Sequence, residues 1–518
     1  MFLADLLRRN CMLFPDKAAL IFEGNRFTWT EADERVNRLA NALLGLGVKR
    51  GDHVAILSKN CHEYFETYFG CSRSGSICTA INYRLTPHEL EYVIGNSEAR
   101  VVLVSDEFLD TLEEVRPRLT MAEHYVVIGK ATDGMTSYDD LIAGASPLEP
   151  EIEQHEDDVV LQMYTSGTTG LPKGAMLTHR NLITNAVGCS LGMQLQPGDC
   201  ILMVAPLYHM AAGMCSLAVI LQGGPLLLHR DFNPVAILDD FEGGEVTCAL
   251  LIPVMINFLL QMPDIEQRDF SNIRALIYGA SPMPVEVLRR AMEIFDCDFV
   301  QGYGQTECSA VFCVLRPEDH VLEGTAEQLR RLGSAGRAVF GSEVRVVDED
   351  GDDVKPGQIG EVIGRGKNVM KGYWKAPEAT AEAIRDGWLH TGDLATVDEA
   401  GYVYILDRVK DMIISGGENI YSREVEEALY KHPAIADAAV IGVPDEQWGE
   451  SVKAFVVLKE GQKATEEEII DFARECLAGF KRPRSIEFVN SLPRNLSGKV
   501  LKKVLREPYW KDRDRAVH

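Results

Sequence analysis

The chain has 518 residues and a mass of 57.5 kDa, with 46% hydrophobic and 25% charged residues, enough for two or more domains around a sizeable apolar core. Its 44 glycines and 22 prolines exclude a collagen-like or low-complexity chain, and a net charge of −26 argues against general nucleic-acid binding. Twelve cysteines without a CxxC pair read as scattered reduced thiols of a cytosolic protein, not as a disulfide framework.

The opening MFLADLLRRNCMLFPDK places two arginines after the Phe2–Leu7 apolar patch, which fits a short amphipathic helix better than a secretory signal. The extended segment Arg26–Trp29 runs into Thr30, and Thr30 with Asp33 resembles a capping pair for a helix carrying Val36, Leu39, Ala40 and Leu43 on one face. Strand candidates follow at His53–Leu57, Val101–Val104, Tyr125–Ile128 and Val159–Met163. Helical periodicity between many of them predicts an α/β body with a substantially parallel sheet. Glu149–Asp158, with six acidic residues in ten positions, reads as a solvated linker entering a buried strand.

Thr178 can cap a helix holding Leu182, Ile183, Ala186 and Val187. That helix absorbs the formal GxSxG match at Gly188–Gly192, because a hydrolase elbow needs a strand immediately before its serine. Cys200–Leu228 carries no Asp, Glu, Lys or Arg, but Pro206, Pro225, His209 and three glycines interrupt it. A buried strand–loop–helix is expected there instead of a membrane span. From about Gly333 the short strands Glu343–Val347 and Glu361–Gly364 alternate with turns, which predicts a smaller β-rich part. After LDRVK, a helix at Glu424–Leu429 and strands at Ala438–Val443 and Val452–Leu458 predict a small terminal α/β domain. The expected division is a large domain over 1–409 and a hinge with a small domain over 410–518.

The sharpest local signal is Tyr164-Thr165-Ser166-Gly167-Thr168-Thr169-Gly170-Leu171-Pro172-Lys173-Gly174. Its glycines permit close backbone bends, its hydroxyls and amides can surround phosphate oxygens, and Lys173 adds positive charge at a sheet end. It is not a Walker loop, because Gly174 stands where Ser or Thr would follow the lysine, nor does it read GxGxxG. The order resembles the ATP/AMP-binding signature of the adenylate-forming superfamily, which includes acyl-CoA synthetases, peptide-synthetase adenylation domains and luciferase-like enzymes. Matches at Ala205–His209, Tyr278–Ser281, Gly302–Glu307, Gly387–Asp393, Leu406–Asp411, Ser415–Asn419 and Pro493–Lys499 extend the resemblance over most of the chain.

The resemblance implies a large multi-subdomain N-terminal body with a smaller mobile C-terminal domain. It also implies an AMP-forming acid–CoA ligase that uses ATP and Mg2+, with CoA as acyl acceptor. On it, Thr165, Ser166, Gly167, Thr168, Thr169, Gly170 and Lys173 face the ATP phosphates. Thr306 meets phosphate or the acid, and Glu307 is the magnesium-associated carboxylate. Gly279, Ala280, Ser281, Gly302 and Tyr303 line the adenine region, Tyr303 also bordering the substrate. Asp393 and Arg408 hold the nucleotide, and Lys499 is the adenylation catalyst. His209 stands at the acid entrance. Lys410 is the hinge, Ser415, Gly416, Gly417 and Glu418 form the CoA-facing loop, and Trp448, Phe480, Lys481 and Arg482 are candidates for the CoA nucleotide.

The expected acid is hydrophobic, with medium- or long-chain fatty acids first and aromatic or alicyclic acids next; Met210–Met214 and Leu250–Phe258 are candidate apolar walls. A standalone amino-acid activator is weakly disfavoured because PLYHMAAG has no Asp or Glu. A non-catalytic nucleotide-binding scaffold is disfavoured because Glu307, Asp393, Arg408, Lys410 and Lys499 are all present. No nucleic-acid partner or transmembrane span is expected. The setting is cytoplasmic, with peripheral membrane contact and a homodimer left open.

Overall fold

The computed structural model describes residues 1–132, 134–165, 171–494 and 498–511. Ser166, Gly167, Thr168, Thr169 and Gly170 of the expected phosphate loop lie outside the described residues. Among the described residues the strands form four sheets in a mixed α/β architecture, a large body followed by a smaller C-terminal unit.

The first long helix runs Trp29–Gly45 and starts earlier than the Thr30–Asp33 pair predicts. The Thr28 side chain accepts from the Glu31 backbone N–H at 3.2 Å, and the Glu31 carboxylate accepts from the Thr28 N–H at 2.8 Å. That reciprocal box satisfies two orphan donors, so it wins over Thr30, which sits inside the first turn. The expected stripe of Val36, Leu39, Ala40 and Leu43 is buried. It packs on helix His62–Ser74, where a Cβ on Gly70 would stand 2.8 Å from the Leu39 side chain.

A nine-stranded sheet has a parallel interior running from Ala18–Phe22 through Leu226–Leu228, Ile201–Met203, Cys248–Leu250 and Ala275–Gly279 to Asp298–Tyr303. An eight-stranded sheet is parallel from Val159–Thr165 to Thr136–Ser137 and ends at its other edge in two antiparallel strands, Lys173–Thr178 and Gly372–Tyr373. Interior strands read as nearly continuous apolar runs because both faces are covered. One apolar cluster joins the two sheets through intervening helices, with Val54, Leu39, Leu182, Met203 and Leu217 among its members.

The formal GxSxG sits in helix His179–Gly192, capped by Thr178, and buried Ser190 accepts from Gln222 Nε2 at 2.7 Å. The Cys200–Leu228 run resolves into strand Ile201–Met203, helix Met210–Leu221 and strand Leu226–Leu228. No helix among the described residues is long and apolar enough to cross a membrane. All twelve cysteines are free, nine of them buried.

The β-rich part is an antiparallel sheet of Ser342–Val347, Gly360–Gly366, Trp388–Val397 and Ile384–Arg385, with Val403–Arg408 paired to Trp388–Val397. After a single 3-10 turn, Val409–Asp411, the chain enters the last sheet, built on the long hairpin Ile435–Asp445 and Gly449–Leu458. That sheet has its own core of Ile413, Val425, Leu429, Val440, Val452 and Ile469.

Under the nine-stranded sheet, Phe241, Phe270 and Phe295 interlock with ring centroids 4.8–6.3 Å apart. Phe241 is fully buried, so Phe241→Ala removes an aromatic side chain from a packed triad at a cost of about 3–5 kcal/mol. A thermal or urea unfolding transition of the body falls correspondingly in the variant; an unchanged transition refutes the packing role.

Candidate active site

A cavity of about 220 Å³ lies where the nine-stranded sheet, the β-rich part and the C-terminal unit meet. It gathers Ala280, Ser281, Gly302, Tyr303, Asp393, Arg408 and Lys499 from five separate stretches of sequence. The parallel neighbours Ala275–Gly279 and Asp298–Tyr303 set Gly279 opposite Gly302. A Cβ on Gly279 would stand 2.3 Å from the Gly302 carbonyl oxygen, so this strand end tolerates only glycine. Ala280 follows with a φ of +63°, which turns the chain sharply away at the cavity rim.

Strand pairing also builds the charged wall. Asp393 lies opposite Arg408 in the antiparallel pair, and Arg408 Nε approaches Asp393 Oδ1 at 3.0 Å. The Tyr303 hydroxyl donates to Asp393 Oδ2 at 2.7 Å, so both carboxylate oxygens are engaged. Asp393 is only 6% exposed. Burial and the adjacent carboxylate hold the Tyr303 phenol well above its ordinary range, and Asp393 raises the Arg408 guanidinium. Lys499 is brought down to about 8, first by burial and then by Arg408, against the pull of Asp393 and Asp411. Burial likewise lowers Lys410. At Asp411 burial acts upward, but Arg506, at 2.5 Å, and Lys502 outweigh it and hold the carboxyl at about 2.

A second set stands apart from this lining. Thr165 pairs with Lys173 across the antiparallel strands, bringing the two strands that flank the expected phosphate loop side by side. Thr306 and buried Glu307 occupy a 3-10 turn after strand Asp298–Tyr303. The Tyr373 hydroxyl donates to Glu307 Oε1 at 2.7 Å, and the Lys173 ammonium lies 5.3 Å from the centroid of the same ring. Sequence reasoning misses Tyr373, because an aromatic between Gly372 and Trp374 carries no local mark of either contact. Cys308, beside Glu307, is buried and its thiol donates to the Gln305 carbonyl at 3.1 Å.

His209 stacks obliquely on Tyr208 at 4.4 Å and is outside the cavity lining. Its buried Nε2 and the buried Tyr208 hydroxyl have no hydrogen-bond partner among the described residues. Burial lowers His209 to about 4, so its imidazole is neutral at pH 7.

The CoA-facing candidates lie elsewhere in the C-terminal unit. Ser415 pairs with Glu418 across a two-residue turn in which Gly416 and Gly417 have φ of +61° and +84°, the requirement of a mirror-image hairpin turn. The Gly416 N–H donates to the Trp448 carbonyl at 2.8 Å, and a Cβ on Gly416 would stand 2.7 Å from the indole. Lys481 pairs with Glu424 at 2.7 Å, Arg482 Nε donates to the Leu477 carbonyl at 3.0 Å, and Phe480 is exposed. None of these candidates lines the cavity that holds Lys499.

Residues 7–374 match the AMP-binding enzyme family, and residues 424–499 match the AMP-binding enzyme C-terminal domain. A feruloyl-CoA synthase of Amycolatopsis sp is 41% identical over 502 residues, which span 97% of this chain and 98% of that protein. A long-chain-fatty-acid–CoA ligase of Mycobacterium tuberculosis is 33% identical over 508 residues, spanning 97% and 98% respectively. The crystal structure of the anthranilate CoA ligase AuaEII with anthranoyl-AMP superposes with a TM-score of 0.92 at 31% identity, covering 98% of this chain and 97% of that one.

The Gly279–Gly302 contact carries a direct test. In Gly279→Ala the new methyl must displace a neighbouring backbone carbonyl, at a cost of about 1–3 kcal/mol. The expected result is a lower unfolding midpoint together with weaker adenosine nucleotide binding by calorimetry; parental values in both refute the close approach.

Proposed function

The chain belongs to the AMP-binding enzyme family, as an ATP-dependent, AMP-forming acid–CoA ligase of adenylate-forming fold, and on that premise we propose that its acid is aromatic. The observation carrying this reading is the 41% identity, over nearly the full length of both chains, to a feruloyl-CoA synthase. Chemistry on the His209 side supports it. Tyr83 lies edge-on to Tyr208 at 5.5 Å, and the unpartnered Tyr208 hydroxyl and His209 Nε2 suit an acid bearing ring oxygens. A plain alkyl chain would leave both polar atoms unpaired at a cost. A fatty acid is the second reading, favoured by the 33% identity to a long-chain-fatty-acid–CoA ligase.

In this reading a carboxylate oxygen of the acid attacks the α-phosphorus of ATP, the bond to pyrophosphate breaks, and an acyl-adenylate forms. Asp393 accepts from the ribose hydroxyls, and Arg408 meets the nucleotide from beside it. Gly279, Ala280, Ser281, Gly302 and Tyr303 border the adenine, Thr165 and Lys173 the phosphates, and Thr306 the reacting groups. Lys499 bridges acid and phosphate oxygens as charge develops. Glu307 fits Mg2+, being a buried hard-oxygen donor, and among the described residues no cluster of three or more His, Cys, Asp or Glu could hold a metal without substrate. Bound there with ATP, Mg2+ would offset the charge of the phosphates. CoA sulfur then attacks the acyl carbon and AMP leaves. For that step the segment over 410–518 turns about Lys410, withdrawing Lys499 and presenting Ser415–Glu418. A cytoplasmic setting fits the twelve free cysteines.

A panel of hydroxylated and methoxylated aromatic acids, alkyl acids and amino acids, read by intact acyl-CoA mass and AMP release, tests the substrate class. Aromatic acids are expected to give the highest kcat/KM; a higher value for C8–C18 fatty acids transfers the assignment to the second reading.

Lys499→Ala is expected to slow acyl-adenylate formation by about 10²–10³-fold while sparing thioester formation from supplied acyl-adenylate. Because the free-enzyme ammonium loses its proton through about pH 8, kcat/KM for ATP in pyrophosphate exchange is expected to fall above that pH. Lys499→Arg, always charged, shifts the fall to higher pH. Equal loss in both half-reactions of a folded Lys499→Ala protein, or a flat parental profile to pH 10, overturns the role.

A further inference from the structure

The segment 368–374, NVMKGYW, is a strap between two elements that the adenylation reading must keep in register. On one side Asn368 Nδ2 donates to the Cys308 and Val311 carbonyls at 3.2 and 3.3 Å, and the Met370 N–H donates to the Glu307 carbonyl at 2.8 Å. On the other side the Lys371 and Trp374 N–H groups donate to the Met176 and Gly174 carbonyls at 2.9 and 2.8 Å. Tyr373 therefore pairs with Ala175, two residues after Lys173. Its own N–H is held by Thr380 Oγ1 at 2.9 Å, and Gly372 takes a φ of +140° where a Cβ would stand 2.8 Å from Thr380 Cγ2.

From this fixed backbone the Tyr373 side chain reaches both groups at once. Its hydroxyl donates to Glu307 Oε1 at 2.7 Å and its ring faces the Lys173 ammonium at 5.3 Å. We propose that Tyr373 is a positioning residue of the adenylation step, fixing the Glu307 carboxylate and the Lys173 end of the phosphate loop relative to one another. The inference rests on the reading of Glu307 as the magnesium-associated carboxylate.

The chemistry suits that task. A neutral phenol fixes one carboxylate oxygen without cancelling its charge, whereas a lysine or arginine there would neutralise the ligand that Mg2+ needs. The ring face meanwhile attracts the Lys173 ammonium without consuming its protons, leaving them for phosphate oxygens. Carboxylate and ammonium, both on the ATP path, thus share one rigid side chain that has only two torsions.

The test uses the parental protein, Tyr373→Phe, Glu307→Gln and the double variant. Phe keeps the ring and removes only the hydroxyl. Binding of a non-hydrolysable ATP analogue is measured by calorimetry across a Mg2+ series, which needs no knowledge of the acid. Thioester formation from supplied acyl-adenylate and the thermal midpoint are measured alongside. Tyr373→Phe is expected to raise the Mg2+ required for half-maximal binding by about tenfold. In the Glu307→Gln background the same change should shift it by about twofold or less, because the hydroxyl acts through that carboxylate. Thioester formation and the midpoint should stay near parental.

Equal factors in both backgrounds, or a parental Mg2+ series for Tyr373→Phe beside an impaired Glu307→Gln, overturn the proposal and leave the Glu307 reading standing. A parental series for Glu307→Gln overturns both. Uniform loss of binding and of thioester formation with a lowered midpoint assigns Tyr373 to packing alone and also overturns the proposal.

Discussion

Asp393 places a carboxylate in a position that is almost closed to water, and the surrounding architecture exists around that cost. An ionised group at 6% exposure persists only when partners replace its hydration. Arg408 comes from the adjacent strand, Tyr303 from the end of the nine-stranded sheet, and Lys499 from the far end of the chain. Three parts of the chain thus contribute to one electrostatic neighbourhood. Removing Arg408 would strand the buried carboxylate, a change that typically costs about 3–5 kcal/mol. The same group that would receive a ribose therefore also ties the β-rich part to the end of the nine-stranded sheet.

On the proposed reading, this arrangement would separate the two halves of the chemistry in space. The cation-bearing wall with Lys499 faces the cavity, while the glycine turn at Gly416–Gly417 and its indole cover lie elsewhere on the C-terminal unit. Both cannot occupy one place, and a single 3-10 turn at Val409–Asp411 is all that joins the two sheets along the chain. Beside this short covalent link the Asp407 carboxylate accepts from the Ser422 N–H at 2.7 Å and the Arg423 guanidinium donates to the Ile405 carbonyl at 3.0 Å, contacts that cross from one sheet's end to the small unit.

Much of this was legible from residue order. His53–Leu57 reads as a strand because a parallel strand covered on both faces needs an unbroken apolar run. The cavity residues carry ordered motifs, so Gly302, Asp393, Arg408 and Lys499 could be grouped before any distance was known. Helix Trp29–Gly45 shows where local pattern fails. Thr28 and Thr30 both precede an acidic residue three positions on, and only the backbone geometry at Thr28 decides between them. Tyr373 shows a deeper limit. Its partners Lys173 and Glu307 are distant in sequence, and the contact arises only when edge strand Gly372–Tyr373 pairs with Lys173–Thr178. Lys481 was legible as a cation but not as the partner of Glu424, which is set by how two elements of the small unit pack.

The placement of the cysteines bears on what an acyl-adenylate could do to its own maker. A mixed anhydride is an electrophile that any nearby thiolate could capture, turning the enzyme into a dead-end acyl-protein. This chain carries twelve thiols, yet no cysteine is among the described residues lining the cavity. Cys308, next to Glu307, is closest in sequence to the reacting groups; burial drives its thiol far from ionisation, and its hydrogen is committed to the Gln305 carbonyl. Because the thiolate is the attacking form, such a sulfur is silent. Among the described residues, none lining this cavity therefore offers the acyl group a sulfur to compete with the one that diffuses in with the acceptor.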